Sequence, residues 1–547
     1  MEEPSILDYL KSILAPWKYP KVVIPDGTSE GEPVYPPSER TEPISPPEPI
    51  HYEKPVSPDQ TLGDQPGDKW FWLSIGALGL AIFAQLTLEP TPTRTWLPGF
   101  ILYMLAFILV AISYIQGGID LPDYKKLGFV YQPSTIRIVP FIVGIVLSII
   151  AFLNFSNNRF TITNLILLTL SVAFLIWAFW VPEKGRLSLK FSPWAGVIVG
   201  VFALAGFFRF YHLGQVPPEM NSDHAEKILD VMRVLDGQTM IFFPTNGGRE
   251  ALQFYLVAGL HKIFNLNLDF MILKIVTVAA GFLSLPFIYL LGKDLINKRV
   301  GIIALAFAGV AYWPNIVSRV GLRLPFYILF TAATLYFLLR GLQTGRRNYF
   351  LLCGVTLGLG LYGYSANRIL PLIVFTTVLI FIIHNRSSQK RRQVIISTLL
   401  LFMIASVIFI PLFRFMLEDP DSFLFRMLTR IGPMERELTD PAMLLFFRNM
   451  VKSLTMVSWD NGEIWPVSIP HRPALDVITA ALFWLGVLLL IVRYIRKRNW
   501  LDIFWLISIP LLMLPSIMSL AFPAENPNLY RSGGAMVPVF MIIALTL

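Results

Sequence analysis

Apolar residues in this chain gather into runs of helix-spanning length, separated by short polar loops, from near Trp70 onward. A helix needs about 20 mostly apolar residues to cross a bilayer. The runs near 71–88, 98–116, 137–154, 162–181, 193–211, 268–292, 300–316, 325–341, 349–364, 369–384, 393–414, 473–493, 500–520 and 534–547 meet or approach that length. A further run, 249–264, is shorter and carries Gln253 and His261. Lysine and arginine decide its status, because short cytoplasmic loops are enriched in both. Counted as a span, it puts the basic loops 293–299, 340–347, 386–392 and 493–498 outside. Treated as an interfacial helix, it puts all four inside, together with Lys125, Lys126, Lys184, Arg186 and Lys190. The second solution holds along the whole chain. It predicts an all-α polytopic integral membrane protein with about 14 transmembrane helices, a cytoplasmic N-terminus, and 249–264 lying on the outer surface.

Two segments depart from the spanning pattern. Residues 1–68 hold 14 of the 41 prolines and too little apolar surface for a core, so they read as a disordered, partly polyproline cytoplasmic tail. Within it Ile6, Leu7, Leu10, Ile13 and Leu14 could form one short surface helix. The second segment follows the run ending at Phe210, where the apolar positions Ala225, Ile228, Leu229, Met232 and Leu235 recur at helical spacing. That spacing predicts an amphipathic juxtamembrane helix over 223–236. Three regions result: the tail 1–68, a four-span extension 69–189, and a membrane body 190–547.

Composition agrees with this class: 54% of the 547 residues are hydrophobic, only 15% are charged, and the mean hydropathy is +0.59. The net charge of +9 comes mainly from short loops between apolar runs, so it does not describe a nucleic-acid surface. The lone cysteine, Cys353, lies inside an apolar run and excludes a disulfide framework or a cysteine-based metal site.

Candidate chemistry begins at Asp223, a carboxylate just outside the bilayer at the start of the amphipathic helix. With Glu226 three residues on, it forms a capping-box-like pattern, so Asp223 reads either as a helix cap or as a base. The expected outer segments carry Arg319 and Arg323, then Arg368, then Arg531, with Arg209 and Lys274 near the outer ends of spans. Such placement runs against the positive-inside preference. An anionic head group at the outer surface would favour it, since the guanidinium fork matches phosphate; snorkelling to lipid or capping of helix ends is the alternative. His212 and His224 beside Asp223 leave a divalent metal open, although isolated histidines at a membrane edge are more often hydrogen-bonded surface residues; no metal site is assigned. Ser458-Trp459-Asp460-Asn461-Gly462 reads as a turn that could help shape an acceptor side.

Several segments resemble one family. Arg209-Phe-Tyr-His-Leu-Gly, Pro217-Pro218 and Asp223-His-Ala-Glu resemble the first outer loop of the GT-C glycosyltransferases, within them the protein O-mannosyltransferase and aminoarabinose-transferase-like group of glycosyltransferase family 39. Gly248-Arg-Glu-Ala-Leu-Gln-Phe-Tyr-Leu resembles the family's second juxtamembrane helix, and Trp313-Pro-Asn-Ile-Val-Ser-Arg-Val-Gly-Leu-Arg its second outer loop. Leu361-Tyr-Gly-Tyr-Ser-Ala-Asn-Arg-Ile-Leu-Pro and Glu525-Asn-Pro-Asn-Leu-Tyr-Arg-Ser resemble two further outer segments. The resemblance covers roughly 190–547. Two departures stand out: the family often has Asp-Glu where this chain has Asp223-His224, and many members carry a soluble domain after the last span. The chain stops at Leu547 inside a short apolar run, which reads as an abbreviated last helix or a truncated sequence.

The resemblance implies a GT-C fold in the plasma membrane with an extracytoplasmic site. There a sugar would pass from a polyprenyl-phosphate carrier to a protein, lipid or glycan acceptor, with inversion. Asp223 would be the general base. Arg319, Arg323, Arg368, Arg531 and Arg249 would hold the lipid phosphate, with His224, Glu226, Lys274 and Glu525 in support. A polysaccharide polymerase or ligase, or a lipid-linked-sugar transporter or flippase, are the competing readings. The spans carry few charges and no inverted repeat is apparent, which disfavours the transporter.

Overall fold

The computed structural model describes residues 66–90, 95–132, 135–182 and 193–547. The proline-rich tail and the basic residues Lys184, Arg186 and Lys190 lie outside the described residues.

The chain opens with two helical hairpins, α1 (Pro66–Leu88) with α2 (Leu97–Ile115) and α3 (Ile138–Asn154) with α4 (Ile162–Phe179). Next come α5 (Pro193–Phe210), α6 (Ser222–Leu235), the short strands β1 (Phe242–Phe243) and β2 (Arg249–Glu250), and α7 (Leu252–Phe264). The body continues with α8 (Phe270–Leu295), α9 (Lys298–Val310), α10 (Tyr312–Arg319), α11 (Pro325–Thr344) and α12 (Arg347–Gly360). It is completed by α13 (Leu370–His384), α14 (Ser388–Glu418), α15 (Pro420–Ile431), α16 (Ala442–Thr455), α17 (Val477–Lys497), α18 (Trp500–Ile517) and α19 (Met536–Thr546).

Among the described residues, 10 helices are long and apolar enough to cross a membrane, and 11 if the bent pair α9–α10 counts as one span. The sequence reading of about 14 included three further runs. They are helical, but as α3 (17 residues), α12 (14 residues) and α19 (11 residues) they fall short of spanning length.

The bend between α9 and α10 is 52°. It frees carbonyls that must find donors in a water-poor interior. Buried Arg209 supplies two, donating to Gly309 (2.7 Å) and Ala308 (3.2 Å), and Asn315 donates to Gly309 and Ala311 (2.9 and 2.8 Å). Arg319 at the end of α10 returns the arrangement, donating to the carbonyls of Phe208, Arg209 and Tyr211 at the end of α5 (2.8, 3.2 and 2.8 Å).

The expected helix forms, but the face it buries is His224, Lys227, Asp230 and Val231, with Val231 against Phe254 and Val257 of α7; of the apolar stripe, Ile228 and Leu235 are partly buried while Leu229 and Met232 stay exposed. The segment 249–264 differs from expectation. Its first two residues are strand, because β2 pairs antiparallel with β1 across a tight turn (Phe242 opposite Glu250, Phe243 opposite Arg249). Gly248 turns that corner at φ +90°, and a Cβ there would meet the Phe242 ring at 2.6 Å. Only glycine fits.

Candidate functional site

Asp223 is not the cap of its helix. Asn221 holds the N-cap position, and its backbone N–H donates to Nδ1 of His224 (3.0 Å). The other ring nitrogen of His224 meets the Val320 carbonyl (2.6 Å), so it is the protonated one and the ring is neutral. Burial pushes the His224 pKa down, with Lys227 acting in the same direction. Asp223 sits in the first turn with its carboxylate half exposed. It accepts from Asn246 Nδ2 (3.3 Å) and faces Lys227 Nζ and Arg249 Nη2, each at 3.8 Å.

Two more carboxylates of α6 converge on the same guanidinium. Arg249 is buried and donates to Asp230 Oδ2 (3.1 Å) and to Glu226 Oε2, which also accepts from Asn246 (2.6 Å). Asp230, itself buried, takes further bonds from Arg233 (2.8 Å) and Thr245 (3.2 Å). Burial alone would raise the pKa of Asp223, but Lys227, Arg249 and Arg426 outweigh it and hold the group below the ordinary carboxylate value. Glu226 is likewise held down by Arg249 and Asn246 against the effect of burial. Lys227 is the converse: burial, then Arg249, drive its ammonium down to about 7. It lies one helical turn from Asp223 and donates to its backbone carbonyl (2.8 Å).

The strand β2 joins this cluster to a cavity. Successive side chains on a strand point to opposite faces. Arg249 therefore meets the α6 carboxylates while Glu250 faces the other way, toward Arg323 (3.7 Å) and Arg368 (3.3 Å). Glu250 Oε2 is buried and makes no hydrogen bond in the structure. Beyond Glu250 opens a cavity of about 390 Å³ lined by Tyr364, Arg368, Phe423, Arg426, Arg430 and Arg531. Arg368 lies over the Phe423 ring (4.1 Å) and Arg430 over that of Phe522 (3.7 Å). Arg531 donates to Ser519 Oγ (2.5 Å) and to Glu525, and Glu525 also faces Arg430 (3.6 Å). Burial lowers the pKa of Arg430 and brings Arg323 to about 10; for Arg531 burial is overcome by Tyr530 and Glu525, and the net shift is upward. A second, apolar cavity of about 310 Å³ runs between α12, α13 and α14 past Leu357, Pro371, Phe402 and Phe409. Arg368 and Phe423 line both.

The expected site residues thus separate into groups. Arg368 and Arg531 line the arginine cavity, Arg323 backs it through Glu250, and Glu525 braces it. Asp223 and Glu226 stand with Arg249, which three carboxylates occupy. Arg319 and Lys274 do not join: Arg319 satisfies the end of α5, and Lys274 donates to the carbonyls of Leu213 (2.9 Å) and Pro217 (2.5 Å). Arg319 has the geometry of the helix-capping alternative, donating to three carbonyls at the end of α5. Among the described residues, no group of His, Cys, Asp and Glu is arranged to hold a metal ion.

Glu250, Asp230, Lys227, Arg426 and Arg430 were not singled out in the sequence. For the last two a signal existed: Phe423, Arg426, Met427, Arg430 and Ile431 recur at i, i+3, i+4, i+7 and i+8, one face of α15, and all five line the cavity.

Residues 251–411 match the family model of dolichyl-phosphate-mannose-protein mannosyltransferase. Among solved structures, the oligosaccharyltransferase of Archaeoglobus fulgidus in its apo form is 15% identical with a TM-score of 0.43, over 66% of this chain and 51% of that one. The archaeal oligosaccharyltransferase AglB from Archaeoglobus fulgidus, in complex with an inhibitory peptide and a dolichol-phosphate, is 14% identical with a TM-score of 0.41, over 64% and 50%. The match spans about half the length of those structures. No curated protein matches the chain. Within 251–411 the chain is thus similar to a family of GT-C glycosyltransferases.

Proposed function

We propose that this chain moves a sugar from a polyprenyl-phosphate carrier to a hydroxyl of an acceptor on the extracytoplasmic face of the plasma membrane, with inversion and with Asp223 as general base. In that reaction the acceptor oxygen attacks the anomeric carbon as the bond from that carbon to the phosphate oxygen breaks. The lipid phosphate leaves with the bonding electron pair, and the acceptor proton passes to Asp223. Phosphate departs as an anion without needing an acid, so one carboxylate is enough.

The observation that carries this reading is the pair of cavities joined at Arg368. One side offers Arg368, Arg426, Arg430 and Arg531 to an anionic head; the other offers an apolar channel of the kind a prenyl chain needs. Fixed guanidinium groups oppose the charge that develops on the departing phosphate. Asp223 lies within the electrostatic reach of Arg426, which lines the head-group cavity. It is ionised at neutral pH, as a base must be, and Asn221 rather than Asp223 holds the helix cap.

The test is transfer by purified protein from a panel of polyprenyl-phosphate sugars, with products scored by mass. Binding of at least one donor together with a product whose anomeric configuration is inverted is expected. Failure of every donor to bind would overturn the reading, and a retained configuration would remove the single-base mechanism.

A further inference from the structure

The segment after α12 carries two tyrosines, two residues apart, whose hydroxyls are used differently. Tyr362 donates to the Ile408 carbonyl of α14 (2.8 Å), so its polar group is spent inside the protein. Tyr364 is only 7% exposed and lines the arginine cavity. Among the described residues its hydroxyl makes no hydrogen bond, and it is not one of the enclosed polar atoms of the interior. The side chain is therefore buried, with its one polar group open to the cavity.

The local fold accounts for this placement. Gly363 lets the chain press against α11, since a Cβ there would meet Phe326 Cβ at 2.8 Å. Tyr364 is extended and precedes the short helix Ser365–Ile369, and its carbonyl accepts from the Asn367 N–H (2.8 Å). Asn367, fully buried, donates its side-chain amide to the Gly360 carbonyl (2.7 Å). Backbone and glycine hold the ring, and the hydroxyl has no structural duty.

The same wall holds a second uncommitted group. Arg368 faces Glu250, while Arg430 and Arg531 face Glu525. Arg426 of α15 makes no ion pair or hydrogen bond among the described residues, although it lines the cavity and lies within the electrostatic reach of Tyr364. Arg323 stands 5.8 Å from the centre of the Tyr364 ring. An ordinary phenol titrates at about 10, and burial pushes Tyr364 up, so the hydroxyl keeps its proton. It can donate to an anion that the guanidinium groups attract.

We propose that Tyr364 is a phosphate-binding residue of the arginine cavity, its hydroxyl donating to an oxygen of the lipid phosphate that the Arg426 fork holds. This deepens the donor reading above and rests on its assignment of the cavity to phosphate. The phenol adds a directed bond without adding a further charge.

The probes are farnesyl phosphate and farnesol, titrated onto the full chain in detergent, with bound ligand counted by native mass spectrometry. The parent should bind the phosphate well above the alcohol. Tyr364→Phe should weaken farnesyl phosphate about tenfold, the low end for a hydrogen bond to a charged group. Farnesol binding and melting temperature should not move, because the deleted hydroxyl has no partner in the free protein. Tyr362→Phe is the contrast: it should lower the melting temperature by losing the bond to Ile408 and leave phosphate affinity alone. Unchanged farnesyl phosphate affinity in Tyr364→Phe, or an equal loss for both ligands, would overturn the assignment. Phosphate binding that depends on Tyr364, in a chain that transfers no sugar, would instead strike the transferase reading and leave this one standing.

Discussion

Asp223→Asn separates chemistry from architecture because the structure lets the two costs be compared. The helix loses no cap, since Asn221 holds that position. The contact with Asn246 Nδ2 survives, because an asparagine Oδ1 accepts as the carboxylate does. What disappears is attraction to Lys227 and Arg249, each at 3.8 Å from a carboxylate that is half exposed. Pairs of that kind contribute at most about 1 kcal/mol each. Removal of a general base costs on the order of 10²–10⁴ in rate, roughly 2.7–5.4 kcal/mol of barrier. The variant should therefore express, hold its melting temperature within a few degrees, bind the polyprenyl-phosphate sugar normally and fail to transfer it. Mass-scored transfer under single-turnover conditions, beside donor binding and thermal unfolding, reads all three quantities. Transfer above about one-tenth of the parent rate would refute the base assignment.

Arg368→Ala and Arg426→Ala should each weaken donor binding by about 1.5–3 kcal/mol, with Lys restoring only part because it lacks the planar fork. Arg319→Ala should leave donor affinity unchanged and lower thermal stability, as three carbonyls at the end of α5 lose their donor; weakened donor binding there would return Arg319 to the site. Lys227 is pushed down to about 7 from an ordinary 10.5, so between those values the unfolded chain binds a proton that the folded chain lacks, and stability should rise with pH across that window. Lys227→Gln should flatten that rise and, by removing a positive charge beside Asp223, move the acid limb of kcat/KM to higher pH; pH-resolved unfolding and rate profiles check both. Cysteines placed at 263–267 and along α6 should react with an impermeant reagent, and those at 343–348 and 387–391 only after permeabilisation; protection of 263–267 would sink the assigned topology.

The class of fold was readable because a bilayer demands one thing of a backbone, and long apolar runs announce it. The run 349–364 is shorter as a helix than as an apolar stretch: α12 ends at Gly360, where the chain turns toward the short helix carrying Arg368. The place of Asp223 in the first turn of α6 was legible from the amphipathic pattern, but the cap was not, because Asn221 and His224 act through a pairing that a search for acid-containing capping boxes misses. Arginine alone could not announce its duty. Arg319 and Arg368 look alike in sequence, yet one satisfies a helix end and the other lines a cavity, a difference fixed by which helix terminus folds beside each. Glu250 was hidden because its segment reads as helical, whereas the two residues of β2 face opposite ways.

Glu250 gives the cavity a resident counter-ion. On the proposed reading, an anion arriving there would compete with this carboxylate for Arg368, so its binding would in part be an exchange. On the proposed reaction the exchange would run backward at its end: a spent lipid phosphate would carry more charge than the sugar-bearing diester and hold Arg368, Arg426, Arg430 and Arg531 more tightly, and the return of Glu250 to Arg368 would loosen it. Replacement of Glu250 by an uncharged isostere would then be expected to tighten donor binding while slowing turnover, the behaviour of an acid that governs release.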